Sequence, residues 1–126
     1  MKSIDNFILE KLKLNPQTKL KWSIRNAQDG DIITFENNNN KHIFIFANME
    51  KNWRGVDHIY GHVDYPVGKA YINFCSGAGL LSLASLDKVA EDQFYLSTEA
   101  EKRLLFDKLK NGGYTWDNEK KELKKI

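Results

Sequence analysis

Apolar residues recur along this chain with two different periods, and the switches between them mark out its elements. Near the start, Ile4, Phe7, Ile8 and Leu12, with Leu9 beside them, keep the i, i+3, i+4 spacing of one helix face. Ser3 stands at the N-cap position, and Asn15-Pro16 ends the helix, because a residue before proline is pushed out of helical geometry. The period then falls to two. Leu20, Trp22 and Ile24 alternate with Lys21, Ser23 and Arg25, which predicts a half-buried strand. Asp29-Gly30 is a turn signal, and residues 31–36 that follow are rich in β-formers. Asn37 to Asn40 separate them from a second β-prone run, residues 41–47. The two runs predict a hairpin, since asparagine tolerates the left-handed backbone of a tight loop. Ile43 to Phe46 is apolar on both parities, as in a central strand covered on both faces.

Residues 48–55 read as a polar loop, and residues 57–65 as a strand with Ile59, Val63 and Tyr65 on one face and His58, Tyr60, His62 and Asp64 on the other. Pro66-Val67-Gly68 turns the chain into a further strand, residues 69–75, with Ala70, Ile72 and Phe74 on its apolar parity. Residues 76–79, Ser-Gly-Ala-Gly, break it, and the leucines of residues 80–92 fit a strand, a loop or a helical turn. Thr98 and Glu101 form a capping box, each able to satisfy the other's free backbone N–H. Leu104, Leu105, Phe106 and Leu109 supply the apolar stripe of a helix that Gly112-Gly113 closes. Tyr114 to Trp116 and Glu122 to Lys124 predict a small hairpin around Asp117-Asn118.

Together these elements predict a single α+β domain over residues 1–126. It comprises an N-terminal helix (1–16), a β-rich body (20–96) folded as a curled, mostly antiparallel sheet or small barrel, and a C-terminal helix with a short hairpin (97–126). Trp22, Phe35, Phe44, Phe46, Phe74, Leu105 and Leu109 are the expected core, with Trp116 closing the tail against the helix. The C-terminal quarter, with its capped helix, Tyr114-Thr-Trp116-Asp117 and Lys120-Lys121-Glu122-Leu123, resembles a tail that recurs in small proteins of anaerobic gut bacteria and their phages. No activity is established for that group. The resemblance implies a bacterial or phage origin and a small β-rich body before the helix, and it carries over no functional residue.

Composition narrows the class without naming a function. With 41% hydrophobic and 29% charged residues over 126 positions, the chain has the make-up of an ordinary globular protein, not of a disordered or fibrous one. Cys75 is the single cysteine, so no internal disulfide is expected, which fits a reducing, cytoplasmic compartment. No membrane helix is indicated, because no apolar run approaches roughly 20 residues, and no signal peptide, because Met1 to Leu14 lacks an uninterrupted apolar stretch. The net charge of +2 is small, yet its distribution is uneven: residues 1–25 carry +4, residues 26–100 carry −5 and residues 101–126 carry +3. Two basic ends flank an acidic middle. Solvated helix faces and a lysine-rich tail account for that, and a phosphate-binding patch is the sharper reading.

Three constellations are candidates for chemistry. His58, His62 and Asp64 share a strand parity and are zinc-type ligand residues, but four residues of strand span roughly 13 Å, too far for both imidazoles to reach one metal. Neither a metal nor a cofactor is therefore expected. Cys75 with His58 or His62 would make a thiolate nucleophile. A two-residue loop at Pro66-Val67 puts His58 opposite Cys75 and His62 opposite Tyr71, whereas a loop one residue longer breaks both pairs. The third candidate is a binding surface of Lys51, Trp53, Arg54, Tyr60 and Tyr71, residue types that supply large contacts at modest entropic cost.

From these the expected function is a non-enzymatic bacterial or phage accessory protein that binds a protein partner. The alternative is a weak nucleic-acid binder using Trp53, Arg54 and the basic ends. An enzyme built on Cys75 and a histidine stands third.

Overall fold

Gly30 sits at φ +96°, a left-handed backbone that glycine adopts without steric cost. Its N–H donates to the Phe46 carbonyl at 2.8 Å, which locks the Asp29-Gly30 turn onto the sheet. The computed structural model describes residues 22–75 and 79–126, so the expected N-terminal helix, Leu20 and the break at Ser76 to Ala78 lie outside the described residues. Among the described residues no helix is long and apolar enough to cross a membrane.

Strand β1 (Ile32–Glu36) pairs antiparallel with β2 (Lys41–Lys51), Ile33 facing Phe44, across the four-asparagine loop. None of those asparagines has a positive φ. The loop is closed instead by the Asn37 side chain, whose Oδ1 accepts from the N–H groups of Asn39 (3.3 Å) and Asn40 (3.0 Å). Strand β2 runs four residues beyond the expected end and is the sheet's spine. It pairs with β3 (Asp57–Pro66), which carries on its outer edge both the two-residue β4 (Asn73–Phe74) and β5 (Leu81–Ser85). On the far side, β6 (Phe94–Leu96) joins β1. Every pairing is antiparallel, and the sheet stays open at both edges, so the barrel alternative does not form among the described residues.

The double parity of β2 reads out as two apolar layers. Ile43 and Ile45 pack with Val63, Tyr65, Leu105 and Leu109 on one face. Phe44 and Phe46 pack with Ile24, Ile33, Ile59 and Phe94 on the other. Helix α1 (Glu99–Asn111) and the hairpin of β7 (Tyr114–Asp117) and β8 (Glu122–Lys125) cover the first face, with Trp116 packed against the layer that holds Leu105 and Leu109. Of the expected core residues, Phe44, Phe46, Leu105 and Leu109 are buried, while Trp22, Phe35 and Phe74 are half-buried at the layers' margins. The helix stripe is narrower than its sequence suggests. Leu105 and Leu109, one turn apart, are fully buried, whereas Leu104 and Phe106 face outward. Burying such a leucine contributes roughly 1.5–3 kcal/mol.

Two features of the sheet depart from the sequence reading. The alternation around Trp22 and Ile24 is not a strand. Ser23 caps a short 3₁₀ turn, Ile24–Asn26, with Asn26 Oδ1 accepting from the Ser23 N–H at 3.0 Å, and the turn drops Ile24 into the second layer. One buried isoleucine between two polar residues is produced equally by such a turn and by a strand. The second departure is that Ile59 and Val63 face opposite layers. Two bulges lie between them: Ile45 faces Val63 and Phe46 faces Gly61, leaving His62 unpaired, and Asn48 faces Tyr60, leaving Ala47 unpaired. Gly61 is required there, since a Cβ would come within 2.8 Å of the Ile45 carbonyl oxygen.

The capping box does more than start the helix. Thr98 Oγ1 accepts from the Glu101 N–H (3.1 Å), and Glu101 Oε1 accepts from the Thr98 N–H (2.9 Å). The same carboxylate, buried at the helix–sheet junction, also accepts from Thr34 Oγ1 (3.1 Å), Tyr95 OH (2.7 Å) and Lys41 Nζ (2.7 Å). Burial alone would raise its pKa, but Lys41, the Thr98 amide, Tyr95 and Thr34 together hold it down at about 2. A cap residue has become the tie between α1 and strands β1, β2 and β6.

Candidate functional site

The β2–β3 connection, residues 52–56, projects from the end of the two longest strands. Asn52 organises it: its Oδ1 accepts from the Arg54 (2.8 Å) and Val56 (3.1 Å) amides, while its own N–H donates to the Val56 carbonyl (2.8 Å). Gly55, at φ +76°, completes the reversal. Trp53 rides on this frame with 92% of its surface exposed, and the Arg54 guanidinium lies 5.8 Å from its ring centroid.

The charges beneath the tip are paired. Arg54 reaches Asp87 (3.2 Å), Lys51 reaches Asp57 (3.1 Å), and Arg25 joins Asp57 (2.6 Å) to Glu91 (2.8 Å). Arg25, followed by Lys51, holds the Asp57 carboxyl below its usual range. The cations at the tip are thus already engaged by carboxylates of neighbouring segments.

Of the sequence-derived binding residues, Lys51, Trp53 and Arg54 come together here, and the two tyrosines do not join them. Tyr60 is half-buried along β3, its ring 4.9 Å from that of His58. Tyr71 is exposed in the connection after the opposite end of β3, roughly 30 Å of strand from the tip.

The histidines and Cys75 are arranged unlike either hairpin register drawn from sequence. The β3–β4 connection takes six residues, so Val63 faces Phe74 and Asp64 faces Asn73. His58 therefore lies far from Cys75. Its Nδ1 meets Ser85 Oγ at 2.8 Å and its Nε2 meets Ser82 Oγ, both on β5. His62 Nε2 pairs with Asp29 Oδ1 at 2.7 Å, and its ring packs 4.9 Å from that of Trp116. Asp64 belongs to His42, whose Nδ1 lies 3.0 Å from Oδ1; this hydrogen bond raises the His42 pKa. His58, His62 and Asp64 thus share no partner, and among the described residues no three His, Cys, Asp or Glu side chains converge as metal ligands. Exposed Cys75 does share a cleft with His62.

Several of these contacts escaped the sequence reading. Asp29 was legible only as half of a turn, although it pins His62 from 33 positions away. Asp87 and Glu91 sat in the ambiguous stretch, where nothing local marks them as holders of Arg54 and Arg25. No protein-family model, curated protein or solved structure matches the chain.

Proposed function

We propose that this protein is an accessory protein of bacterial or phage origin that binds a protein partner through the β2–β3 hairpin tip, with Trp53 as its anchor. The observation that carries this reading is a tryptophan 92% exposed on a frame that is itself fixed by hydrogen bonds and ion pairs. A tryptophan has only two side-chain torsions to fix when it enters a partner's pocket, so it loses little entropy there, and such residues dominate interface energetics. The paired state of Lys51 and Arg54 favours a protein over nucleic acid. Lys51, Arg54 and Arg25 face the three carboxylates Asp57, Asp87 and Glu91, so this cluster offers no net positive charge to a polyanion. The origin rests on the resemblance of the C-terminal quarter.

The test is affinity capture from lysate of the source organism, comparing the wild type with Trp53→Ala. The tip lies outside both apolar layers, so the variant should keep its circular dichroism spectrum and melting temperature. A partner retained at 0.5 M salt (roughly a Debye length of 4 Å) and lost with Trp53→Ala supports the reading. A partner held equally by both proteins, or a nucleic acid released by salt, overturns it.

A further inference from the structure

A cleft of about 620 Å³ opens between the β3–β4 edge of the main sheet and the β7–β8 hairpin, within the size range of small-molecule pockets. Its walls differ in kind from the hairpin tip. Phe74, Leu80, Tyr114 and Leu123 make the apolar part, and Lys121 and Lys125 line the side formed by β8 and the turn before it. Glu122 is the one carboxylate residue among those lining it. Neither lysine has a carboxylate oxygen within 4.0 Å among the described residues, whereas the neighbouring Lys124 is held by Asp117 at 3.0 Å. The Lys121 ammonium is nonetheless positioned, because Asn118 Oδ1 accepts from it at 3.1 Å. Gly30 makes room for it: a Cβ there would lie 2.8 Å from Lys121 Nζ.

The same turn fixes the cleft's third polar group. Asp29, next to Gly30, holds His62 by Nε2, and the Trp116 ring limits its rotation. Among the described residues no hydrogen bond engages His62 Nδ1. The cleft thus combines an apolar lining with two lysine side chains, of which Lys121 is held by Asn118, and an imidazole held by Asp29.

We infer that this cleft is a binding site for a small organic monocarboxylate, its hydrocarbon body against Phe74, Leu80, Tyr114 and Leu123 and its charge met by Lys121 and Lys125. Charge complementarity selects the occupant. An amine would be repelled by both lysines, a neutral hydrocarbon would leave them without a counter-charge, and an inorganic anion would leave the apolar wall wet. The site is separate from the hairpin tip, so it stands whether or not Trp53 anchors a partner.

The experiment uses the full chain with octanoate as the probe, and octan-1-ol, octylamine and inorganic phosphate as comparisons. Cys75, the single cysteine, is exposed and lines the cleft, so its alkylation by iodoacetamide reports occupancy. Octanoate should slow alkylation saturably below about 10 mM and shift the backbone amides of Phe74, Leu80, Tyr114 and Leu123 in heteronuclear NMR spectra. The alcohol should bind about tenfold more weakly or worse, and Lys125→Gln combined with Lys121→Asn should weaken octanoate by about tenfold or more. Asparagine is chosen at position 121 because Lys121 has φ +54°, which asparagine tolerates. Lys125→Gln alone, on an exposed strand position, gives the answer if the double variant unfolds, with a smaller loss of the same sign. The inference is overturned by equal binding of the alcohol, by equal effects of phosphate on the same residues, or by an absence of saturation. Binding that survives the lysine substitutions overturns it as well.

Discussion

The two faces of the sheet are sealed by different means. One lies under α1 and the β7–β8 hairpin, regular elements whose leucines and aromatic rings meet Ile43, Ile45 and Val63 in a continuous layer. The other lies under the 3₁₀ turn at Ile24–Asn26 and residues 86–93, which end in a second short 3₁₀ turn (Glu91–Gln93); these drop Ile24, Leu86 and Val89 onto Phe44, Phe46 and Phe94. The helix side is tied across its junction by one buried carboxylate with four donor residues. The irregular side is fastened at its rim by Arg25 to Asp57 and Glu91, by Arg54 to Asp87, and by the Leu86 N–H to the Asp57 carbonyl (2.9 Å). Ion pairs open to water contribute little each. Equal apolar burial therefore does not mean equal rigidity, and the face fastened at its rim should yield first.

Cutting a hole in each layer is the most forceful way to break that contrast. Leu105→Ala should lower stability by about 3–5 kcal/mol, because a helix anchored by Glu101 cannot settle into the void; Ile24→Ala, of similar burial, should fall nearer about 2 kcal/mol as its covering turn relaxes. Urea denaturation measures both, and an equal loss would remove the distinction.

Acid probes the helix tie alone. The Glu101 carboxyl is held at about 2 when folded, against 4.5 as its ordinary value, so its contribution is complete above about pH 4.5 and disappears as pH falls towards 2. The linked stabilisation is on the order of 3 kcal/mol. It should show as a stability gap between wild type and Glu101→Gln that is wide at pH 6 and closes in acid. A gap independent of pH would show that the carboxylate's charge is not what ties the helix.

Gly61→Ala addresses the point where the faces trade residues. The new methyl would crowd the Ile45 carbonyl, a backbone atom that cannot swing away, and the expected loss is about 1–3 kcal/mol. Retained wild-type stability would mean the bulge has room that its geometry denies.

The smallest effect has the opposite pH sign. His42, on the irregular face, has its pKa raised by its hydrogen bond to Asp64, so this pair stabilises the fold below about pH 6.5 and the contribution fades as pH rises through the folded-state value. A His42→Asn variant should therefore differ from wild type more at pH 6 than at pH 8.5, by thermal melting. If the difference grew with pH instead, the imidazolium would not be the stabilising form.

The helix face is also the one that could be read from sequence. Thr98, Glu101, Leu105, Leu109 and Gly113 lie within sixteen positions of each other, so cap, stripe and stop are all local signals. The hairpins β1–β2 and β7–β8 were legible for the same reason. Ile24, β5 and β6 were not, because their conformations are set by strands and charges dozens of positions away. The β3–β4 register failed on loop length, and with it went the expected partners of His58. Of the candidate site, Lys51, Trp53 and Arg54 were readable as neighbours on one loop, whereas the cleft needs Asp29, His62, Cys75 and Lys121 brought together from four separate segments.

The paired bulges have a consequence for how the cleft could be taken away. Because one extra residue on β3 is balanced by one on β2, excising both His62 and Ala47 would leave the remaining pairs, from Ile43 facing Tyr65 to Lys51 facing Asp57, in an uninterrupted ladder. Written that way, the hairpin is a regular scaffold with a two-residue graft, and the graft carries the imidazole that Asp29 holds beside the cleft.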